Sequence, residues 1–167
     1  LEVQQYGFAL GGPIIRDTLH FFGTYERKEE GRAAVVNLGR QEPRFTNQFG
    51  QYIGTFAVPF EEDLYFGKLS WEPAEGHLVD VSVTWRDEFD TRGIGGANSA
   101  ERATELNQTT MTINGRYQWQ TDAFVNELTV TQREYNYNPQ PVNFSTFGQT
   151  YRFHENDTNP NQPGFQV

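Results

Sequence analysis

The feature that most constrains this chain is a two-residue alternation of apolar and polar side chains, sustained over long segments. Successive side chains of a β-strand point to opposite faces, so the alternation predicts strands with one apolar and one polar face. The clearest segment spans residues 77–90, which is longer than the five or six residues typical of globular strands. A tilted strand that crosses a bilayer and rises above it would need such a length. The apolar face of this segment carries Val79, Val81, Val83 and Trp85.

The same alternation, with Gly and Pro between the segments, predicts an antiparallel meander of six strands and almost no helix. Short and long connections strictly alternate along the chain. In transmembrane barrels the short turns are periplasmic and the long loops are extracellular. We therefore expect strands near residues 3–11, 18–29, 63–71, 77–90, 107–119 and 123–137, short turns at 12–17, 72–76 and 120–122, and extracellular loops at 31–62, 91–106 and 138–167.

Composition agrees with a barrel wall better than with a disordered chain. Hydrophobic residues make up only 36% and the mean hydropathy is -0.71, yet aromatic residues reach 15%, and disordered segments are poor in aromatics. A barrel strand needs only about 9–11 residues with every second one apolar, so such a protein is polar overall. The net charge of -9 disfavours a nucleic-acid partner, and the absence of cysteine excludes disulfides and thiolate metal sites.

Six strands are too few for a complete barrel, since single-chain barrels start at about eight. An open sheet in lipid would leave unpaired backbone groups along two edges, at several kcal/mol for each group. We therefore expect the remaining strands to come from a longer chain, or otherwise from partner copies.

Two stretches resemble TonB-dependent receptors of the Oar-like branch. Residues 11–26, GGPIIRDTLHFFGTYE, are similar to the GGPI(I/V)KDKLFFFGSYE segment at the first barrel hairpin of that branch, with Arg16, Thr18 and His20 as departures. Residues 62–71, EDLYFGKLSW, followed by His77, resemble its next hairpin. Residues 93–96 and 126–128 are also comparable, so the likeness covers most of residues 4–135.

The resemblance implies a transmembrane barrel of about 22 strands in the bacterial outer membrane. It also implies energised ligand uptake, with an N-terminal plug domain inside the barrel and the inner-membrane partner TonB acting through an N-terminal box. This chain would supply only the N-terminal part of the barrel, because it contains neither the plug nor the box. Outer-membrane lipid, the plug and the remaining barrel strands are then the expected partners. Peptides, proteins and glycans are all plausible substrates.

Candidate contact residues follow from the predicted faces. Charged side chains on the polar face could pair across the wall of the lumen or hold a plug or a substrate. Aromatic side chains in the loop at 31–62 could contact an extracellular ligand or fold back onto the top of the barrel. The lumen candidates are Asp80, Arg86, Arg116, Glu127 and Arg133, and the loop candidates are Phe45, Phe49, Tyr52 and Phe56.

The sequence offers only weak candidates for a metal site or a catalytic site. The carboxylates of Asp87, Glu88 and Asp90 could bind calcium at the extracellular rim, but Asp87 and Glu88 should point to opposite faces of an extended strand. No cofactor is otherwise indicated. No serine lies in a GxSxG elbow, and the three histidines lack metal-ligand spacing, so we do not expect an enzyme. The alternatives are a porin-like or adhesin-like outer-membrane barrel, and a soluble β-sandwich binding module.

Overall fold

A computed structural model of the chain is all-β, and it describes residues 2–37, 47, 49–143, 152–153 and 165–166. Short 3-10 turns lie at Gly50–Tyr52 and Ala100–Arg102. The strands are β1 (Glu2–Ile15), β2 (Leu19–Gly31), β3 (Ala33–Val36), β4 (Gly54–Ala57), β5 (Phe60–Ala74), β6 (His77–Arg92), β7 (Thr104–Gln120), β8 (Val125–Pro141), β9 (Arg152–Phe153) and β10 (Phe165–Gln166).

The six long strands form one antiparallel sheet in the order β1-β2-β5-β6-β7-β8. Each long strand pairs with the next long strand along the chain, so the predicted six-stranded antiparallel meander is confirmed. The short strands β3 and β4 form a separate hairpin, and β9 pairs with β10. In the described part of the chain, β1 and β8 each have one edge without a strand partner.

The long strands extend further than the apolar alternation predicted. The segment predicted at 63–71 runs from Phe60 to Ala74, and the one predicted at 107–119 runs from Thr104 to Gln120. At the loop end of these two strands, the added residues include the charged Glu61 on β5 and Glu105 on β7. Each of them is paired in register with a residue of β6. Backbone ladders do not need apolar side chains, so the end of the apolar pattern did not mark the end of the strand.

Two of the three short turns are correspondingly tighter than predicted, and the third is shifted. Only Glu75 and Gly76 separate β5 from β6, and Gly76 has a φ of +77°, which suits glycine. The predicted turn at 12–17 shrinks to residues 16–18, with Asp17 at a φ of 60°. The last turn spans 121–124 rather than 120–122, because the Thr121 hydroxyl accepts hydrogen bonds from the backbone N–H groups of Ala123 and Phe124 and holds these two residues out of β8.

The predicted long loop at 31–62 is partly regular structure, since it contains the β3–β4 hairpin. It packs against the loop that follows β6. The N–H of Gly96 donates to the Val35 carbonyl at 2.8 Å, and the N–H of Asn37 donates to the Gly96 carbonyl at 2.8 Å. Val36 is 1% exposed in this assembly. The two extracellular loops of the prediction therefore share a small core of their own above one end of the sheet.

Burial on β6 is the reverse of that in a soluble sheet. On the apolar face of β6, Val81 is 44% exposed and Trp85 is 40% exposed. On the polar face, Asp80, Glu88 and Asp90 are only 7%, 9% and 4% exposed. Soluble sheets bury the apolar face and expose the charged one. Two features need explanation: why the charges tolerate burial, and what surrounds the apolar face.

Candidate functional site

The five charged residues predicted as lumen contacts lie on one face of the sheet. Directly paired residues of neighbouring strands share a face, and Asp80 pairs with Arg116 while Arg86 pairs with Thr110. Even-numbered residues of β6 and β7 therefore share this face with odd-numbered residues of β8, which pair with them. The structure thus brings Asp80, Arg86, Arg116, Glu127 and Arg133 to the same polar face. Contact with a plug or a substrate stays a prediction.

Asp80 is the centre of one ion-pair cluster on that face. Its carboxylate accepts hydrogen bonds from the Ser70 hydroxyl at 2.6 Å and from the Arg116 guanidinium at 2.8 Å, and it pairs with the Lys68 ammonium at 3.1 Å. Arg116 also reaches Glu127 at 3.5 Å. Two cations around one shielded carboxylate offset the free-energy penalty of its burial. The cluster links β5, β6, β7 and β8 and so favours one register of these strands.

Arg86 belongs to a second cluster nearer the long loops. It forms ion pairs with Glu62 on β5 and, at 2.6 Å, with Glu88 on its own strand. Glu88 is in turn 3.5 Å from Arg92, which also pairs with Asp90. The hydrogen bond from Arg92 to Asp90 raises the pKa of this arginine at the loop end of β6. Buried carboxylates at this level are thus matched by guanidinium groups.

Sequence reasoning missed three members of these clusters. Lys68 and Glu62 lie on β5, and Arg32 follows β2 and pairs with Asp90. Lys68 and Glu62 could have been predicted from the short turn between β5 and β6, because the turn sets which residues of the two strands are paired. Arg32 could not have been found in this way, since it lies beyond the end of a strand.

Arg133 differs from the other candidates. It forms no ion pair with any of the described residues, and it lies opposite Thr112 on β7. Farther along the same face of β8, the rings of Tyr135 and Tyr137 stack at 6.3 Å, and the Tyr135 hydroxyl donates to Gln108 at 3.1 Å. This part of the polar face, beside the edge of β8 that has no strand partner, offers one cation and two aromatic rings.

The loop aromatics are packed together. Phe49 is 8% exposed and contributes to the buried cluster around Val36, against which Tyr52, Phe56 and Ile94 also pack. These side chains therefore stabilise the loop assembly, and ligand contact by them stays a prediction. Phe45 lies outside the described residues.

One row of aromatic side chains crosses the apolar face near its loop end. Phe8, Tyr25, Tyr65 and Trp85 pair successively across β1, β2, β5 and β6. Their rings contact one another, with centroids 5.7 Å apart for Phe8 and Tyr25 and 5.0 Å apart for Tyr25 and Tyr65. The polar tips of Tyr25 and Trp85 donate hydrogen bonds to carboxylates one row nearer the loops. We call these four residues the upper aromatic row.

A second aromatic group lies at the opposite end of the same face, beside the short turns. His77 stacks on Tyr117 at 6.0 Å and on Trp119 at 5.9 Å, and Trp119 meets Phe124 edge-on at 5.0 Å. The Tyr117 hydroxyl lies 2.7 Å from the Nδ1 atom of His77. With Trp71, these residues form the lower aromatic group. Aliphatic residues such as Leu69, Val81 and Val83 fill the face between the two aromatic levels.

On β2, β5 and β6, charged residues replace the apolar ones on this same face immediately beyond the upper aromatic row. Arg27 pairs with Glu29 at 2.6 Å, with Glu61 at 2.6 Å and with Asp63 at 2.7 Å. Asp87 lies directly opposite Asp63 and accepts hydrogen bonds from Trp85 and Thr109 at 2.7 Å. We call Arg27, Glu29, Glu61, Asp63 and Asp87 the acidic collar.

The candidate calcium ligands are not brought together. Asp87 belongs to the collar, whereas Glu88 lies on the opposite, polar face and pairs with Arg86 and Arg92. The register runs through Asp87 and Glu88 without the bulge that would be needed to bring both carboxylates to one ion. Across the described ranges, no three acidic or histidine side chains are grouped so as to hold a metal ion.

Comparisons with known proteins add no family. No protein-family model, curated protein or solved structure matches the chain. The likeness to TonB-dependent receptors therefore rests only on the sequence resemblance of residues 11–26, 62–71, 93–96 and 126–128. Within the described residues, no helix is long and apolar enough to cross a membrane.

Proposed function

We propose that this chain forms part of the wall of a bacterial outer-membrane barrel, in a TonB-dependent receptor that takes up a ligand. The apolar face would lie against lipid and the polar face would line the lumen. The long loops would be extracellular, and the short turns would be periplasmic. Further barrel strands would pair with the edges of β1 and β8, and a plug domain would occupy the lumen.

The inverted burial of the sheet carries this proposal. Exposed apolar residues are costly in water, at about 25 cal/mol for each Å² of apolar surface. Here Leu69, Val81 and Val83 are 47%, 44% and 38% exposed on the apolar face of the inner strands β5 and β6. On the polar face, Asp80, Glu88 and Asp90 are shielded and ion-paired, as expected for a lumen wall whose charges do not meet lipid. Aromatic residues at both limits of the apolar band match the girdles found at the two membrane interfaces.

The height of the band is also suitable. Tyr65 in the upper row and Trp71 in the lower group lie six residues apart on β5, which is about 20 Å along a strand at ~3.4 Å per residue. Met111, beside the upper row, and Trp119 lie eight residues apart, or about 27 Å. Barrel strands are tilted by about 40°, so these lengths give heights of about 16 and 21 Å, of the same order as the apolar band of about 25 Å in outer-membrane barrels.

Spin labelling tests the membrane placement directly. These 167 residues contain no cysteine, so an engineered cysteine is the one labelling site within them. Val81→Cys and Val83→Cys would report on the apolar face, and Ser82→Cys and Thr84→Cys are matched controls on the other face of the same strand. In the natively purified protein, reconstituted into lipid vesicles, we expect labels at 81 and 83 to be accessible to oxygen and protected from a water-soluble nickel chelate.

Labels at 82 and 84 should show the reverse accessibility. Equal chelate accessibility at all four positions, or recovery of the native protein in the soluble fraction without detergent, would contradict the barrel placement. A soluble sandwich would bury residues 81 and 83 from both oxygen and chelate, because a second sheet would cover them.

A second experiment tests uptake through a plugged receptor. The native protein should have an intact mass well above 19.2 kDa, leave a planar bilayer almost non-conducting, and be captured by the periplasmic domain of TonB. A porin-like barrel would instead give steady conductance and no capture. That result would leave the wall assignment standing and reject energised uptake.

A further inference from the structure

Arg133 on β8 forms no ion pair with the part of the chain that the structure describes, and in this it differs from the other cations of the six long strands. Each of those other cations forms at least one ion pair, and they are Arg27, Lys28, Lys68, Arg86, Arg92 and Arg116. Arg133 also makes no side-chain hydrogen bond or ring contact with the described residues. The adjacent carboxylate, Glu134, points to the opposite face of the strand. The Arg133 guanidinium is therefore free to bind an anion from outside these residues.

Tyr135, the next side chain on the same face, has a ring that is held in place. Tyr137 stacks on this ring with centroids 6.3 Å and planes 16° apart, and the Tyr135 hydroxyl donates to Gln108 at 3.1 Å. Among the described residues, no other ring and no cation lies against Tyr135. At least one face of a fixed ring is thus open, and a ligand that packs on it does not have to order it first.

The neighbouring strand β7 adds hydroxyl and amide groups to the same face. The β7 residues that pair with Tyr137, Tyr135 and Arg133 are Gln108, Thr110 and Thr112. All three are only half-buried although β7 has a strand partner on each side, so they are accessible from the polar face. The hydroxyl groups of the two threonines, which both donate and accept hydrogen bonds, have no side-chain partner among the described residues. We call these six residues the β7–β8 patch.

The β7–β8 patch lies at the loop end of the polar face. Met111 pairs with Trp85 of the upper aromatic row on one side and with Glu134 on the other. Tyr135 and Tyr137 therefore lie beyond the level of that row, on the side of the long loops. In the proposed barrel, this is the part of the lumen wall that is nearest to the exterior and that an incoming ligand meets first.

We propose that the β7–β8 patch binds an oligosaccharide that contains a carboxylated sugar. The Arg133 guanidinium pairs with the carboxylate, whose two oxygens match its planar fork. A sugar ring packs its C–H groups against Tyr135, and its hydroxyl groups exchange hydrogen bonds with Thr110 and Thr112. An acidic peptide is less suitable, because the patch has no apolar pocket for its side chains and the proposed barrel closes the edge of β8. The inference rests on the proposed function and specifies its substrate class.

Calorimetric titration tests the proposal. The natively purified protein would be titrated with trigalacturonic acid, with the neutral methyl ester of the same trisaccharide, and with triglutamate. We expect saturable binding of the acid and about tenfold weaker binding of the ester, as for the loss of one charge-assisted hydrogen-bonded pair. Arg133→Gln should weaken binding of the acid by a similar factor and leave binding of the ester unchanged. Tyr135→Leu should weaken both, whereas Tyr135→Phe keeps the ring and should retain the affinity.

Arg16→Gln is the matched control for charge. It changes the net charge by the same amount as Arg133→Gln, but Arg16 is exposed in the turn at residues 16–18, at the opposite end of the sheet. This variant should bind the acid as tightly as the wild type. Arg133→Gln should also unfold at the same urea concentration as the wild type, because Arg133 has no ion pair with the described residues to lose.

Several outcomes would overturn the inference. They are a lack of saturable binding of trigalacturonic acid at millimolar concentrations, equal affinity for the acid and its ester, and binding of triglutamate as tight as that of the acid. An Arg133→Gln variant with a lowered urea midpoint and an unchanged affinity would assign Arg133 to an ion pair with a further barrel strand instead. If the spin labels show the membrane placement but no acidic sugar binds, this inference alone is rejected. Failure of the spin-label test rejects the proposed function, whatever the titration shows.

Discussion

The ion pairs of Asp80 allow a quantitative test of the polar face. Asp80→Asn removes the charge but keeps an oxygen that can accept from Ser70. The side chain of Asp80 is only 10% exposed and lies 2.8 Å from Arg116. Removing one partner of a buried ion pair costs about 3–5 kcal/mol, because the remaining charge is left uncompensated. Lys68 and Arg116 are 38% and 36% exposed, so water screens part of that penalty. We expect a loss of about 2 kcal/mol.

Glu127→Gln provides the matched control, because Glu127 contacts the same arginine. Its carboxylate lies 3.5 Å from Arg116 and its side chain is 49% exposed, so this pair should contribute less than about 0.5 kcal/mol. A second change, Lys68→Met, should recover about 1 kcal/mol in the Asp80→Asn background, because it removes a cation that has lost its partner.

Urea unfolding of the protein in lipid vesicles, followed by tryptophan fluorescence, would measure these differences. The reasoning predicts that Asp80→Asn is clearly more destabilising than Glu127→Gln, and that Lys68→Met is restorative only when Asp80 has been changed. Equal losses for the two carboxylate variants would refute it, since distance and burial would then not determine the strength of these pairs. The reasoning would also be refuted if the Asp80→Asn variant were as stable as the wild type.

Three further predictions concern the turns and the loop core. Gly76→Ala should destabilise the protein by about 1–3 kcal/mol in the same assay, because residue 76 has a positive φ and the added Cβ atom would clash with the Gln120 carbonyl oxygen. Gly12→Ala should be nearly neutral, because the atom nearest to the added Cβ atom lies 4.0 Å away. Asp17→Val should lower the free energy of unfolding by about 1–2 kcal/mol, because a β-branched residue is disfavoured at a φ of 60°, whereas Asp17→Asn should change it very little. Equal unfolding midpoints for the two variants would contradict this reasoning. Val36→Ala should make residues 32–37 and 49–58 more sensitive to limited proteolysis while leaving the six-stranded sheet intact. Val35→Ala changes a side chain that is 61% exposed and should not have this effect, so equal cleavage of the two variants would show that the Val36 cluster does not hold the loops together.

The sequence predicted the sheet well because two-residue alternation is a local signal. Six strands, their antiparallel order and the face of each charged candidate follow from it. The partners of those charges did not follow, because Asp80 meets Lys68 only through the register that the turn at Glu75 and Gly76 imposes. Register is a property of two strands and is not encoded in the pattern of either one.

The loop structure was predicted least well, for a related reason. The β3–β4 hairpin has only four residue pairs, too few for a periodic signal, and its stability depends on contacts with the segment after β6. Val36 becomes buried only when Gly96 lies beside it. Such contacts between distant segments cannot be deduced from composition, so the loop aromatics could be assigned either to packing or to ligand binding.

The apolar face also bears on the choice between a barrel wall and a soluble sandwich. In a sandwich, a second sheet would have to cover the face wherever it is apolar and stop where it becomes charged. Here the side chains on this face change from aromatic to acidic over a step of two residues along each strand. The step runs from Tyr65 to Asp63 on β5 and from Trp85 to Asp87 on β6. The ladder between these strands continues beyond that level to Phe60 and Asp90. An abrupt boundary at one level across neighbouring strands is what a planar interface between lipid and water would select. A covering sheet has no physical reason to end at the same level on both strands, so this change on β5 and β6 supports the proposed membrane position.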